Sequence, residues 1–360
     1  MTLRAPRTLA APLVLTLVAT TPARAQRADP SHADTLPPTG VAESAYAITS
    51  GTLTLPGTLT LPAPGAVRRG ARPPVVLIVA GSGPTDRDGN TVGPVGGVRA
   101  NTYALLAWGL AERGIASVRY DKRGLGASLQ GLDLSKVTVA DYYGDVLAAA
   151  RRLAADPRFG GVILLGHSEG AELALQAATR GAPARGVIMV SGIGRPLAQV
   201  LHEQLAGALD SAGLARFDAA FARYLRGEDP GDVPPPARPL LLPVYRAFLQ
   251  SMAAYDPAAE LARLAELGIP LLIVQGEQDV QVSVDDARRL AAAAPHATLA
   301  LLPTANHVLK RAASRDRTAQ LALYTDPTVP LAPEVVPVIA DWIAGRSGGH
   351  GRAKAGTGLR

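Results

Sequence analysis

Residues 161–171 constrain this chain more than any other stretch. Gly161-Val162-Ile163-Leu164-Leu165 is an apolar run, Gly166-His167-Ser168-Glu169-Gly170 is a Gly-x-Ser-x-Gly pentapeptide, and an Ala/Leu-rich helical pattern follows. That order spells a strand, a sharp turn and a helix, with one serine at the apex. Such a turn strains the serine backbone, so the positions two before and two after must be nearly free of side chain. Gly166 and Gly170 meet that need, and Ala171 and Ala174 let the helix lie close to the sheet. The pentapeptide arises easily by chance in a chain holding 37 glycines. Its flanking strand and helix are what give it weight. As a nucleophile, Ser168 requires a base, an acid and an oxyanion hole from the rest of the chain.

The pattern on either side is one of alternation. Val75 to Ala80 is an unbroken apolar run, as expected of a strand buried on both faces of a parallel sheet. A helical pattern over 100–113, a strand over 115–120 and an amphipathic helix over 138–155 lead up to the serine turn. A strand over 186–190 follows it. After Ser191 the sheet signal stops. Residues 192–255 read as helices and loops, with Pro234-Pro235-Pro236 among them. A cap over the carboxyl ends of the strands is the natural place for such an insert. Alternation resumes with a helix over 257–267, a strand over 269–275, a helix over 284–294, a strand over 298–302 and a last helix over 333–344. Upstream, Val41 to Leu61 alternates, and Pro56-Gly57 between two alternating runs reads as a hairpin turn joining antiparallel edge strands. The expected fold class is therefore α/β, with a mostly parallel doubly wound sheet, N-terminal antiparallel strands and a helical cap insert.

The ends of the chain carry the charge. Arg4, Arg7 and Arg24 near the start, with Arg346, Arg352, Lys354 and Arg360 at the end, outweigh the whole net charge of +6. The middle is close to neutral, so no nucleic-acid face is implied. Arg4 and Arg7, the apolar stretch Leu9 to Thr20 and Ala23-Arg24-Ala25 have the order of a secretory signal, with cleavage before Gln26. The expected organisation is a signal peptide over 1–25, a linker over 26–40, one domain over 41–345 and a flexible basic tail over 346–360. A secreted or periplasmic location follows, with no stable membrane anchor, because the apolar part is too short to span a bilayer. There is no cysteine, which excludes disulfides and a thiol nucleophile.

A nucleophilic serine needs a base within reach and an acid that holds the base in one tautomer. Two strand ends offer them. Leu271 to Gln275 runs into Gly276-Glu277-Gln278-Asp279, and Leu299 to Leu302 runs into Pro303-Thr304-Ala305-Asn306-His307. Asp279 competes with Glu277, Asp285 and Asp286 for the acid, and the last two suit the start of the next helix. His307 competes with His32, His167, His202, His296 and His350. His167, inside the turn, reads as a packing residue. For the oxyanion hole, one backbone N–H is expected from Glu169. The other comes from the glycine-rich loop after Ala80, from Ser82 in preference to Gly81. Asp86-x-Asp88-Gly89-Asn90 has a faint likeness to a calcium loop, but Gly97 stands where a bidentate glutamate would be needed. No metal or cofactor is expected. Asp121 and Arg123 read as residues that fix the turn after their strand.

Taken together, Ala80 to Gly89, Arg119 to Gly124, Gly166 to Gly170, Gln275 to Asp279 and Asn306 to Lys310 resemble the α/β-hydrolases. Within them they are most similar to the bacterial serine aminopeptidase S33-like, monoacylglycerol-lipase-like branch. The resemblance spans roughly 45–345 and implies the α/β-hydrolase fold, with Ser168 as nucleophile, Asp279 as acid and His307 as base. Many relatives have His-Gly where this chain has Ala80-Gly81; that side chain is not itself a donor in the hole. The implied activity is cleavage of carboxylic esters through an acyl-enzyme, on a small-molecule ester or short peptide. The alternatives are a peptidase that removes a small N-terminal residue and, more distantly, a binding protein that kept the fold. One fold hosts many chemistries, so the substrate and the oligomeric state stay open.

Overall fold

A computed structural model describes residues 36–91, 97–129 and 131–347. The proposed signal peptide, His32 and His350 lie outside the described residues. Among those described, the chain runs β1 (Ala42–Ala45), β2 (Ile48–Ser50), β3 (Leu53–Leu55), β4 (Gly57–Leu61), β5 (Val75–Val79), α1 (Thr102–Glu112), β6 (Ala116–Tyr120), α2 (Val139–Ala154), β7 (Val162–His167), α3 (Glu169–Thr179) and β8 (Ala184–Val190). Then come α4 (Leu197–Leu205), α5 (Ser211–Leu225), α6 (Arg246–Ala253), α7 (Pro257–Glu266), β9 (Leu271–Gly276), α8 (Val284–Ala293), β10 (Thr298–Leu302), α9 (Arg317–Thr325) and α10 (Val335–Ser347).

Eight strands form one sheet in the order β1-β4-β6-β5-β7-β8-β9-β10. The six from β6 to β10 are mutually parallel, while β4 and β1 add antiparallel strands at one edge. Parallel strands need both faces covered, and the run Val75–Val79 shows how the sequence provides for it. Val75, Leu77 and Val79 face α2, α3, α7 and α8, with Leu153, Leu173, Leu264 and Leu290 in the same cluster. Val76 and Ile78 face α1 and α10, with Leu106, Leu110, Ile339 and Trp342. Each fully buried Val, Leu or Ile side chain contributes about 1.5–3 kcal/mol. Exact caps add to this: Ser283 and Asp286 form a reciprocal capping box at the start of α8.

The N-terminal strands differ from the expected hairpin. β3 and β4, on either side of Pro56, do not pair with each other. β3 pairs with β2 in a separate two-stranded sheet, and β4 pairs with β1 and β6. The turn lies instead at Gly51-Thr52, where Gly51 has a φ of 58°. Pro56 lacks an N–H and so interrupts the ladder, letting the chain pass from the small sheet into the large one without reversing. Helix α9 has no counterpart in the periodicity reading; Asp316 caps it by accepting from Ala319 N–H.

The order of the sheet positions the site. From β5 the chain moves outward to β6, returns to β7 on the other side of β5, and continues to β10. The switch in direction lies between β5 and β7. Crevices at the carboxyl ends of strands at such a switch are where ligands bind in open α/β sheets. Val79 pairs with Gly166, so the loop after β5 emerges beside the turn after β7. On the far side, Leu302 pairs with Gly276, so the loops after β9 and β10 also emerge together. Between β8 and β9 the described chain is helical, and α4, α5 and α6 share a small core of their own around Phe217, Phe221 and Tyr224.

Candidate active site

Ser168 sits at the junction of β7 and α3 with φ 54° and ψ −127°, outside the conformations that side-chain-bearing residues prefer. Its N–H donates to Val190 O at 2.8 Å, which ties the turn to β8. A Cβ at Gly166 would meet Gly170 O at 1.9 Å, and one at Gly170 would meet Val79 O at 2.2 Å. The two glycines are therefore required by close approach of the backbone on both sides of the serine.

Asp279 is buried and fully engaged. Oδ1 accepts from the N–H groups of Gln281 and Val282 at 2.7 and 3.0 Å, and Oδ2 lies 2.8 Å from His307 Nδ1 and 3.2 Å from Gln275 Nε2. Burial pushes the carboxyl up. The adjacent imidazole and the two backbone donors more than offset this, and its pKa lies below the ordinary carboxylate value. A carboxylate only accepts, so His307 Nδ1 carries a proton, and in the neutral ring Nε2 is the nitrogen with the free lone pair. Of the other acids, Asp286 caps α8 and pairs with Arg195 at 2.7 Å, and Asp285 faces solvent beside Arg288. His202 pairs with Asp218 at the surface, and His296 lies near the opposite end of the sheet, before β10.

His167 does more than pack. Its Nδ1 lies 2.9 Å from Tyr103 Oη and its Nε2 lies 2.8 Å from the backbone oxygen of His307. A carbonyl only accepts, so Nε2 carries the proton and Tyr103 donates to Nδ1. Burial pushes the His167 imidazole down to about 3, in keeping with a neutral ring. Its ring centroid is 4.8 Å from that of His307. The residue next to the serine thus holds the loop that carries His307.

Tyr103 Oη also accepts from Gly81 N–H at 2.9 Å. The Gly81 N–H is occupied, whereas the Ser82 and Glu169 N–H groups make no bond to protein among the described residues. Lys122, buried behind this loop, donates to Gly81 O and reaches Glu169 Oε1 at 3.5 Å. Gly81 O and Ser82 N–H belong to one trans peptide and point in opposite directions. Lys122 therefore fixes the plane of the Ser82 donor. Burial pushes the Lys122 ammonium below its ordinary value, against the pull of Glu169.

Two cavities flank the serine and share Glu169 and Phe248 as a wall. One is lined by Gly83, Lys122, Leu134, Tyr142 and Tyr245, the other by Ser82, Ser168, Glu172, Leu201, Gln204 and Met252. Helices α4 and α6 thus supply walls above the serine. Tyr103, Lys122, Glu172 and Gln204 were not distinguished by sequence. Tyr103 lay within the helical pattern over 100–113, and Lys122 lay unremarked between Asp121 and Arg123. Those two do fix the turn, Asp121 by pairing with Arg87 at 2.6 Å and Arg123 by pairing with Asp141 and Asp145. Asp86 accepts from the N–H groups of Asp88 and Asn90, and Asp88 pairs with Arg119 at 2.7 Å. Among the described residues no cluster of three or more His, Asp or Glu is arranged to hold a metal. No described helix is long and apolar enough to cross a membrane.

The family model described as the alpha/beta hydrolase family matches residues 95–321. The chain belongs to the alpha/beta hydrolase family. The match is to the family as a whole and names no branch within it. No curated protein matches this alpha/beta hydrolase. Among solved structures it is similar to a hypothetical protein from Pseudomonas aeruginosa, at 16% identity and a TM-score of 0.55, over 90% of this chain and 99% of that one. It is also similar to a proline iminopeptidase from Mycobacterium smegmatis, at 15% identity and a TM-score of 0.52, over 84% and 99%. A third is Est1E from Butyrivibrio proteoclasticus with ferulic acid bound, at 16% identity and a TM-score of 0.50, over 83% and 100%. At these identities the likeness is one of fold.

Proposed function

We propose that this alpha/beta hydrolase is an exported serine hydrolase that cleaves carboxylic esters through an acyl-enzyme. The observation that carries the reading is the buried Asp279–His307 pair, 2.8 Å apart, with the loop that bears His307 held against the serine turn by His167. His307 Nε2 takes the proton from Ser168 Oγ as that oxygen attacks the ester carbonyl. Asp279 keeps the imidazole in the required tautomer and stabilises the imidazolium that forms. The N–H groups of Ser82 and Glu169 receive the oxyanion, aided by the N-terminus of α3. His307 then protonates the leaving alcohol, and water, deprotonated by the same nitrogen, releases the acid and restores Ser168. No cofactor takes part. Residues 1–25 act as a removable signal, and residues 192–255 act as a cap that selects the substrate.

A peptidase acting on short peptides would use the same residues, so kinetics must separate the two. Wild type and Ser168→Ala are compared on p-nitrophenyl esters of graded acyl length and on a peptide anilide. The expected result is ester turnover by wild type far above anilide turnover, and loss of both in the variant. Equal ester turnover by Ser168→Ala, or failure of a fluorophosphonate to label Ser168, would overturn the assignment.

A further inference from the structure

The cavity that contains Ser168 is apolar on most of its wall, but two side chains break the pattern. Glu172, one turn along α3 from Glu169, is 2% exposed, and the only hydrogen bond to its carboxyl among the described residues comes from Ile193 N–H at 3.1 Å. Gln204, on α4, is 5% exposed; its Nε2 donates to Gln281 O at 3.2 Å, and its Oε1 is buried without a partner. Both line the same cavity. The Gln204 amide oxygen is thus buried without a donor, and the Glu172 carboxyl has one backbone donor for its two oxygens, on a helix of the insert and a helix of the sheet domain. A buried acceptor such as Gln204 Oε1 is costly unless something completes it.

The charges around Glu172 point the same way. Glu169 has Lys122 and Asp286 has Arg195, but no cation among the described residues is paired with Glu172. Its carboxyl is held well above the ordinary value, first by burial and then by the nearby Glu169 and Asp286. The remaining lining of the cavity, Ile193, Leu197, Val200, Leu249 and Met252 among it, offers no side-chain donor. The hydroxyls of Ser82 and Ser168 lie at the end where the ester carbonyl would sit.

We propose that this cavity takes an acyl group bearing a hydrogen-bond donor, a hydroxyl or an ammonium, and that Glu172 and Gln204 are the residues that select it. This rests on Ser168 being the nucleophile. A carbonyl seated on the Ser82 and Glu169 N–H groups runs its acyl chain into the cavity that contains Ser168. The cavity on the Lys122 side does not include Ser168 and is left for the alcohol.

The test is a panel of p-nitrophenyl esters on propionyl, butyryl and hexanoyl backbones, each plain, hydroxylated or aminated along the chain. Wild type is expected to favour at least one donor-bearing ester over its plain counterpart by at least about tenfold in kcat/KM, because a site with unpaired acceptors rejects an analogue that lacks the donor. The aminated and hydroxylated arms distinguish the two donors. Glu172→Gln retains an acceptor but cannot ionise, so it keeps a preference for hydroxyl and loses one for ammonium, whose charge would draw the proton off the Glu172 carboxyl. Gln204→Leu weakens either preference, read as the ratio of kcat/KM for a donor-bearing ester to that for its plain counterpart. Cleavage of plain esters as fast as all donor-bearing ones by wild type would overturn the proposal while leaving Ser168 in its role. Absence of hydrolysis across the whole panel would overturn the serine-esterase reading itself.

Discussion

The hydroxyl of Tyr103 lies 2.9 Å from Nδ1 of His167 and accepts the N–H of Gly81 at the same distance. One oxygen on α1 thereby joins the loop after β5 to the serine turn after β7. Through His167 Nε2 the connection reaches the backbone of His307. Three of the loops proposed to carry the chemistry are held by two neutral side chains.

Tyr103→Phe keeps the ring and removes that oxygen. It strands a buried N–H and a buried imidazole nitrogen, which costs about 1–3 kcal/mol of stability. The expected kinetic effect is a fall in kcat of roughly tenfold with little change in KM, because positioning is lost while the cavities are untouched. Urea denaturation and steady-state ester kinetics on the same preparation check both parts.

Lys122→Met removes the one side chain among the described residues that grips Gly81 O, and it leaves Glu169 without that cation. The Gly81–Ser82 peptide is then free to rotate away from the oxyanion. The loss in kcat is bounded by that for deleting an oxyanion donor, on the order of 10²–10³. An unchanged kcat in a folded Lys122→Met variant would exclude this role for the lysine.

Asp279→Asn preserves the shape of the acid but lets an amide face His307 Nδ1, which favours the wrong tautomer. A fall in kcat of roughly 10⁴ is expected, with fluorophosphonate labelling of Ser168 slowed in parallel. Circular dichroism should be unchanged.

Asp86 supplies a pH-dependent stability. Burial pushes its carboxyl up to about 7 from 3.8. Below the lower value the folded and unfolded chains are both protonated there. Between the two values the unfolded chain gives up its proton while the folded chain keeps it, so stability falls as pH rises through this window. Asp86→Asn keeps an oxygen for the Asp88 and Asn90 N–H groups. It should match wild type near pH 4 and exceed it by roughly 1–4 kcal/mol at pH 8, as read by denaturation at the two pH values.

Much of the sheet was legible because its signals are local. The unbroken run at 75–79, the Gly-x-Ser-x-Gly turn and the strands before Asp279 and His307 each state their conformation within a dozen residues. Pro56-Gly57 was misread because a proline and a glycine between alternating runs describe a break in pairing, while the partner strand is chosen elsewhere. β4 pairs with β6, some sixty residues away along the chain. Helix α9 escaped for the opposite reason. Few of its side chains are buried, so its sequence has little apolar period to read.

The candidate site divides along the same line. Sequence by itself determined the α/β alternation and the strained serine turn. It also set the order serine, aspartate, histidine after three strand ends, because each depends on residues close together in the chain. Only the tertiary structure decided that His167 is a clamp and that Lys122 orients the Ser82 peptide. It likewise decided that Tyr103 occupies the Gly81 N–H and that Glu172 and Gln204 face one cavity with acceptors to spare. Those are relations between distant elements. A hydrogen bond depends on distance and direction in space, and neither is written in the spacing of residues along one strand or helix.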